Sequence, residues 1–103
     1  MIALHLDLSV DPVKEQEMLR YFETVFRPAA MQFEGYIDVR MLKLRTALMG
    51  AAPAGVNYRF ALTYHSEELR QTWVTSDIHA TVWGGMEKTF SSTIYDILLF
   101  DTV

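Results

Sequence analysis

The chain has 103 residues, half of them apolar, and it contains no cysteine. This length supports one domain with its own core and leaves no room for a second, so residues 1–103 are predicted to form a single domain. Nine Lys and Arg residues against thirteen Asp and Glu give a formal net charge of −4, and this balance does not suit binding to a phosphate backbone. Disulfides, thiolate metal sites and a cysteine nucleophile are excluded.

The sequence also argues against a membrane or an exported location. Its apolar stretches fall well short of the roughly 20 residues that a membrane-spanning helix needs, and the N-terminus lacks the pattern of a signal peptide. The lack of cysteine is compatible with a reducing compartment. We therefore expect a cytoplasmic protein with neither a membrane nor a nucleic acid as partner.

The first half of the chain predicts two strands with a helix between them. Residues 2–8 alternate between apolar and other side chains, which is typical of a half-buried strand. Asp11 and Pro12 form a helix start, and Pro28 is expected to end or kink that helix. Residues 36–44 alternate again and predict the second strand.

The second half of the chain predicts another strand, helical region and strand. A loop of small residues over 46–55 leads into a strand over 57–64. Ser66 and Ser76 are predicted N-caps of two short helices, and residues 94–100 form the last strand. The order strand, helix, strand, strand, helix, strand is that of the ferredoxin-like split βαβ, an α+β fold.

In this fold both helices cover the same face of an antiparallel sheet. The other face is left open, and here it is expected to carry Phe, Leu, Ile and Tyr. An apolar surface of this kind usually binds a partner. We therefore predict a homodimer in which two sheets meet around a two-fold axis.

His79 is the strongest candidate for chemistry. It lies six residues after Trp73 and four before Trp83, so an imidazole and two indoles can line one cleft. A histidine with an ordinary pKa near 6.5 is a suitable proton acceptor at neutral pH. The alternative is a helix-end histidine that simply packs on Trp83. His65 is expected to be solvated.

Other candidates have a structural alternative as well. The Tyr64 hydroxyl either stabilises a phenolate or enolate or satisfies a backbone group. Large aromatic residues in short helices are often core, but they also form walls for planar ligands. The predicted ligand contacts are Trp73, Trp83, His5 and Met86; for His5, a neighbouring Arg or Asp as partner is the alternative.

The charged strand residues favour a structural interpretation. Arg40 and Arg59 project from largely apolar strands and need partners. Asp7, Asp38 and Asp96 are available, which predicts ion pairs across the sheet. No His-Glu-x-x-His, carboxylate calcium loop, phosphate loop or dinucleotide motif is present, so neither a metal nor another cofactor is expected.

Three stretches resemble the antibiotic biosynthesis monooxygenase domain family. They are residues 26–30 (FRPAA), Gly35 with Tyr36, and residues 73–83 (WVTSDIHATVW). The resemblance covers essentially the whole chain. It implies a dimeric α/β barrel with a ligand cavity between sheet and helices in each protomer. Several members are similar to cofactor-independent monooxygenases of aromatic polyketides, some degrade haem, and many have no known activity.

The haem-degrading branch of that family is not expected here. It has an asparagine in the first strand and a histidine ten residues after a tryptophan. Trp73 matches the tryptophan, but Trp83 stands ten residues later, and Asp7 stands near the strand position.

The resemblance and the residues together predict an oxidoreductase, a cofactor-independent monooxygenase of a small aromatic or quinol-type substrate. Such an enzyme needs a base, a partner for the oxyanion and an apolar pocket. His79 is the predicted base and Tyr64 the predicted oxyanion partner. The alternative is a non-catalytic small-molecule binding or sensing domain of the same fold; an isomerase or decarboxylase that uses the same base also remains open.

Overall fold

The computed structural model describes residues 1–103, which form one four-stranded sheet with all helices on one side. The strands lie in the order β2–β3–β1–β4, and every neighbouring pair is antiparallel. Their bounds are β1, Ile2–Leu8; β2, Tyr36–Lys43; β3, Tyr58–Tyr64; and β4, Ile97–Asp101. The predicted ferredoxin-like split βαβ is confirmed.

The first helical region continues through Pro28 rather than ending there. After a 3₁₀ turn at Pro12–Lys14, α1 spans Glu15–Tyr21, a π turn spans Phe22–Phe26, and α2 spans Arg27–Met31. A proline lacks the N–H of a regular helical bond, and its ring crowds the carbonyl four residues earlier. The wider π winding lies directly before the proline and relieves both problems, so the helix continues.

Two capped helices form the second helical region. α3 spans Glu67–Val74 and α4 spans Asp77–Glu87. The Ser66 hydroxyl oxygen accepts a backbone N–H of α3 at 3.3 Å, and that of Ser76 accepts the N–H of His79 at 3.1 Å. Both predicted N-caps are confirmed. The Ser76 cap fixes the first turn of α4, and with it the position of His79.

The last strand is shorter than predicted. β4 starts at Ile97, and residues 91–96 reach it without regular secondary structure. The segment is held at its end by the backbone bond from Asp7 N–H to the Asp96 carbonyl, at 3.3 Å. Tyr95 lies just before the strand, and its side chain is on the same side as that of Ile97, towards the helices.

An aromatic cluster forms the centre of the core between sheet and helices. The Phe26 ring packs edge-on against three others: Phe60 at 5.5 Å, Trp73 at 5.8 Å and Trp83 at 5.7 Å between ring centroids. Phe26 belongs to the π turn, Phe60 to β3 and the two tryptophans to α3 and α4. One ring thus joins the first helical region, the sheet and the second helical region.

Two ion pairs lie on the open face of the sheet: that of Arg59 joins β3 to β1 as predicted, whereas that of Arg40 stays within β2. Arg59 bonds to Asp7 at 2.8 Å, and Arg40 to Asp38 at 3.0 Å. Asp96 takes part in neither pair. The arginines are about half exposed, so these pairs contribute little to stability. They do give the open face a polar half.

The rest of the open face is apolar. On β4, Leu98 and Phe100 are 50% and 47% exposed, and the His5 ring lies 5.2 Å from that of Phe100. Leu42, which is 42% exposed, lies on β2 at the opposite edge of the sheet. The face therefore carries Phe and Leu as expected, but the strand register places no Ile or Tyr of the paired residues there. None of the helices has the length and apolar character needed to span a bilayer.

The two glycines of α4 test how this helix packs on α1. A methyl group on Gly85 would overlap the Tyr21 ring, whereas one on Gly84 would meet nothing within 4 Å. Gly84→Ala is expected to raise the free energy of unfolding by about 0.5–1 kcal/mol because alanine favours the helix. Gly85→Ala is expected to lower it by about 1–3 kcal/mol through overpacking. Urea unfolding followed by circular dichroism measures both, and changes of the same sign would contradict this packing.

Candidate functional site

A cavity of about 110 Å³ lies between the helix-facing side of the sheet and the second helical region. Ten of its twelve lining residues are hydrophobic. The sheet supplies aliphatic side chains, and Phe26, Trp73 and Trp83 supply aromatic walls. An apolar cavity of roughly 150 Å³ binds benzene in another protein, so this space suits a molecule of about one ring.

A larger surface depression differs from this aromatic-walled cavity. It measures about 450 Å³, lies beside the loop between β2 and β3, and is widely open to solvent. None of the predicted site residues lines it. The structure also contains no group of three or more His, Asp or Glu side chains that could hold a metal ion.

His79 is packed between the two tryptophans of the cavity. Its ring is edge-on to Trp73, with 4.9 Å between centroids, and parallel to Trp83 at 6.4 Å. Its backbone N–H bonds to the Ser76 cap, but neither ring nitrogen makes a hydrogen bond within the protein. The imidazole therefore packs on Trp83 and lines the cavity at the same time.

The surroundings keep His79 neutral. Burial, together with the positive charge of Arg70, lowers the pKa of His79 below its ordinary value of 6.5. Arg70 also lines the cavity; its side chain is only 12% exposed, and its Nε donates to Glu67 at 2.7 Å. At neutral pH the site thus offers a free proton acceptor beside a fixed cation.

Tyr95 adds a hydroxyl to the cavity wall. The indole N–H of Trp83 donates to the Tyr95 oxygen at 2.8 Å, and the Tyr95 hydroxyl donates to a Glu87 carboxylate oxygen at 2.8 Å. Burial is the main cause that raises the pKa of Tyr95. The phenol therefore stays protonated at neutral pH.

Sequence reasoning missed both Arg70 and Tyr95. Arg70 precedes Trp73 by three residues, which places the two on one helix face, so this spacing was an available signal. Tyr95 was included in a strand that in fact starts at Ile97. Tyr95 lies two residues before Ile97, which also lines the cavity, so strand alternation was an available signal for it as well.

Of the predicted site residues, Trp73, His79 and Trp83 come together and three others do not. Tyr64 is fully buried at the end of β3, away from the cavity, and burial raises its pKa to about 12. Its hydroxyl has no hydrogen-bond partner, so the predicted role as oxyanion partner does not fit its position. Met86 is fully buried in the core without lining the cavity.

The third residue placed elsewhere is His5. It belongs to β1, and strand alternation puts its side chain on the open face of the sheet, opposite the cavity. The ring contacts Phe100 there rather than an Arg or Asp side chain. His5 is therefore not a contact for a ligand in this cavity.

Comparison with known proteins supports the fold. No family model matches the sequence, and no curated protein matches it either. A candidate antibiotic biosynthesis monooxygenase from Caulobacter crescentus superposes with a TM-score of 0.79 and 18% identity, over 99% of this chain and 89% of that one. A second candidate of that name, from Nitrosomonas europaea, gives 0.71 and 9%, over 100% and 99%.

A further neighbour is described by its assembly. It is a dimeric ferredoxin-like protein of unknown function from Jannaschia, with a TM-score of 0.77 and 11% identity, over 99% of this chain and 100% of that one. Identities this low establish a shared fold and nothing more. As a similarity of fold, the resemblance to antibiotic biosynthesis monooxygenases that was inferred from the sequence is confirmed.

The neutral state of His79 predicts a pH dependence of stability. The pKa of His79 is lower in the folded chain than in the unfolded chain. As the pH falls below about 6.5, the unfolded chain therefore binds more protons than the folded chain. The free energy of unfolding should therefore decrease as the pH falls from that value through the folded pKa. His79→Gln should make this decrease shallower. Urea unfolding of both proteins between pH 5 and 7.5 measures it, and parallel curves would contradict the assignment.

Proposed function

We propose that this protein is a cofactor-independent monooxygenase that acts on a single-ring aromatic or quinol-type molecule bound in the cavity. One observation carries the proposal: the neutral, unpartnered imidazole of His79 lines an apolar cavity walled by Trp73 and Trp83. A base, flat walls and an apolar site are what such chemistry needs.

The first step is removal of a proton from a ring hydroxyl. His79 accepts this proton, and the ring keeps the electron pair as an oxyanion. The Arg70 guanidinium, held by Glu67, also lines the cavity and supplies a positive charge for that anion. An electron-rich oxyanion in an apolar cavity is a stronger electron donor than the neutral ring in water.

The second step is transfer of electrons to dioxygen, which is a co-substrate. One oxygen atom enters the ring as a hydroxyl group in place of hydrogen, and the other leaves as water. The substrate supplies all the electrons, because the quinol is oxidised to the quinone while a ring C–H becomes C–OH. No external reductant is needed, so the reaction balances without a cofactor.

The structural neighbours support this proposal only through the fold. Two of them are named as candidate antibiotic biosynthesis monooxygenases. One fold hosts many reactions, so the cavity and its residues carry the argument. A non-catalytic binding domain is the second candidate, because no carboxylate or carbonyl holds the His79 ring in one orientation.

Oxygen uptake with methylhydroquinone or hydroquinone as substrate tests the proposal. The rate above that of buffer alone is expected to fall about 100-fold or more in His79→Gln, since general base catalysis contributes roughly that much. His65→Gln is the matched control, because His65 is exposed and lies outside the cavity. Equal rates in wild type and His79→Gln would show that His79 is not the base. Binding of the quinol without uptake by the wild type would favour the non-catalytic domain.

We also propose that a second copy of the chain covers the open face. β4 is an edge strand whose apolar residues from Ile97 to Phe100 are 47–56% exposed, and exposed apolar edges of this kind need a cover. One structural neighbour is described as dimeric. The bare backbone of β4 and the apolar half of the open face are adjacent, so one partner can cover both.

Sedimentation analysis of a charged variant tests the dimer. Phe100→Asp places a carboxylate in the apolar half of the open face and is expected to raise the dimer dissociation constant by about 100-fold or more, since a buried unpaired charge is costly. Val13→Asp is the control, because Val13 is 92% exposed and lies in the helical layer. A wild-type monomer, or equal dissociation constants for both variants, would contradict the proposal.

A further inference from the structure

Three side chains of α4 form a ladder on one helix face, and the first two line the cavity. His79, Trp83 and Glu87 follow one another at intervals of four residues, so they share one helix face. At 1.5 Å per residue, the ladder from His79 to Glu87 is about 12 Å long. His79 and Trp83 line the cavity, and their rings are parallel. A flat ligand lying along the Trp83 indole has the imidazole at one end.

Tyr95 marks the other end of the ladder. Its hydroxyl bridges the Trp83 indole N–H and the Glu87 carboxylate, with both distances at 2.8 Å. A phenol oxygen can accept two hydrogen bonds while donating one. Trp83 uses one acceptor position and Glu87 receives the donated proton, so one acceptor position remains. Since Tyr95 lines the cavity, a ligand hydroxyl can use it.

We propose that Tyr95 and Glu87 form a second proton-accepting station, which takes the hydroxyl of the ring that lies opposite His79. This inference rests on the proposed function, and it narrows the substrate class to rings that carry two hydroxyl groups at opposite positions. Tyr95 contacts the substrate, whereas Glu87 acts through Tyr95.

The proton moves in a coupled transfer. The substrate O–H bond breaks as its proton passes to the Tyr95 oxygen, and the original Tyr95 proton passes to a Glu87 oxygen. The substrate ends as an oxyanion, Tyr95 as a neutral phenol and Glu87 as a carboxylic acid. No electron changes partner in this step; the electrons leave later, to dioxygen. Glu87 is only half-buried and can return its proton to water.

A second station solves a problem that His79 alone leaves open. Both hydroxyl protons must leave the ring oxygens before the quinone forms, and one imidazole accepts only one of them. Without a further acceptor, the second proton would remain on a ring held in an apolar site. The hydrogen-bonded pair at the far end of Trp83 takes this proton from the ring, and the water that forms from dioxygen takes up two protons in return, so the overall reaction releases none.

A pair of ligands tests the binding half of the inference. Hydroquinone has both hydroxyl groups and phenol has one, and both can be titrated without oxygen by following tryptophan fluorescence, since the chain's two tryptophans both line the cavity. Tyr95→Phe is expected to weaken hydroquinone binding about three- to tenfold, the effect of one hydrogen bond, and to leave phenol binding unchanged. Tyr58→Phe is the matched control, because its hydroxyl bonds to Glu15 at 2.7 Å outside the cavity.

Glu87→Gln tests the proton transfer. Glutamine still accepts the Tyr95 hydrogen bond but does not take a proton, so hydroquinone affinity should be kept while kcat for oxygen uptake falls about tenfold or more. An unchanged kcat would overturn the transfer. Equal weakening of hydroquinone and phenol in Tyr95→Phe would show a structural role only, and would leave the proposed function intact. If wild type neither binds nor consumes hydroquinone, the inference and the proposed function both fail.

Discussion

The packing of the Trp83 indole is the constraint on which both the core and the cavity depend. Its ring lies 5.2 Å from Phe60 and 5.7 Å from Phe26, so it joins α4 to the sheet and to the π turn. The same ring is a cavity wall, and its N–H fixes the hydroxyl of Tyr95. The residue that seals the core therefore also sets the distance between the polar groups of the site.

Local patterns predicted the elements of the fold because each depends on a few neighbouring residues. The alternation in β1 determines which side chains face the helices, and the hydroxyl groups of Ser66 and Ser76 start α3 and α4. The spacing between Trp73 and His79 was informative for the same reason, since both lie in the second helical region and the Ser76 cap sets where α4 begins. The topology and the grouping of Trp73, His79 and Trp83 at one cavity followed from this kind of information.

The errors concern contacts between segments that are distant in sequence. Tyr64 ends a strand close to Trp73 in the chain, yet the inward direction of its side chain leads into the core beside Tyr36, at 6.4 Å, rather than to the cavity. Tyr95 shares the cavity side with Ile97, but its hydrogen bonds to Trp83 and Glu87 depend on how α4 packs beneath the sheet. Neither outcome can be derived from periodicity, because both depend on what packs beneath the sheet.

The hydrogen bonds within the cavity distinguish the groups that hold its walls in place from the group that is free to react. A buried polar group without a partner costs roughly 1–3 kcal/mol, and most polar groups here avoid that cost. The Trp83 N–H and the Tyr95 hydroxyl are both bonded, and Arg70 is bonded to Glu67. The His79 ring nitrogens and the Trp73 indole N–H make no hydrogen bond within the protein, and burial disfavours the protonated form of His79. Of these free groups only the imidazole can accept a proton from a substrate hydroxyl, while the bonded groups around it hold the walls in place.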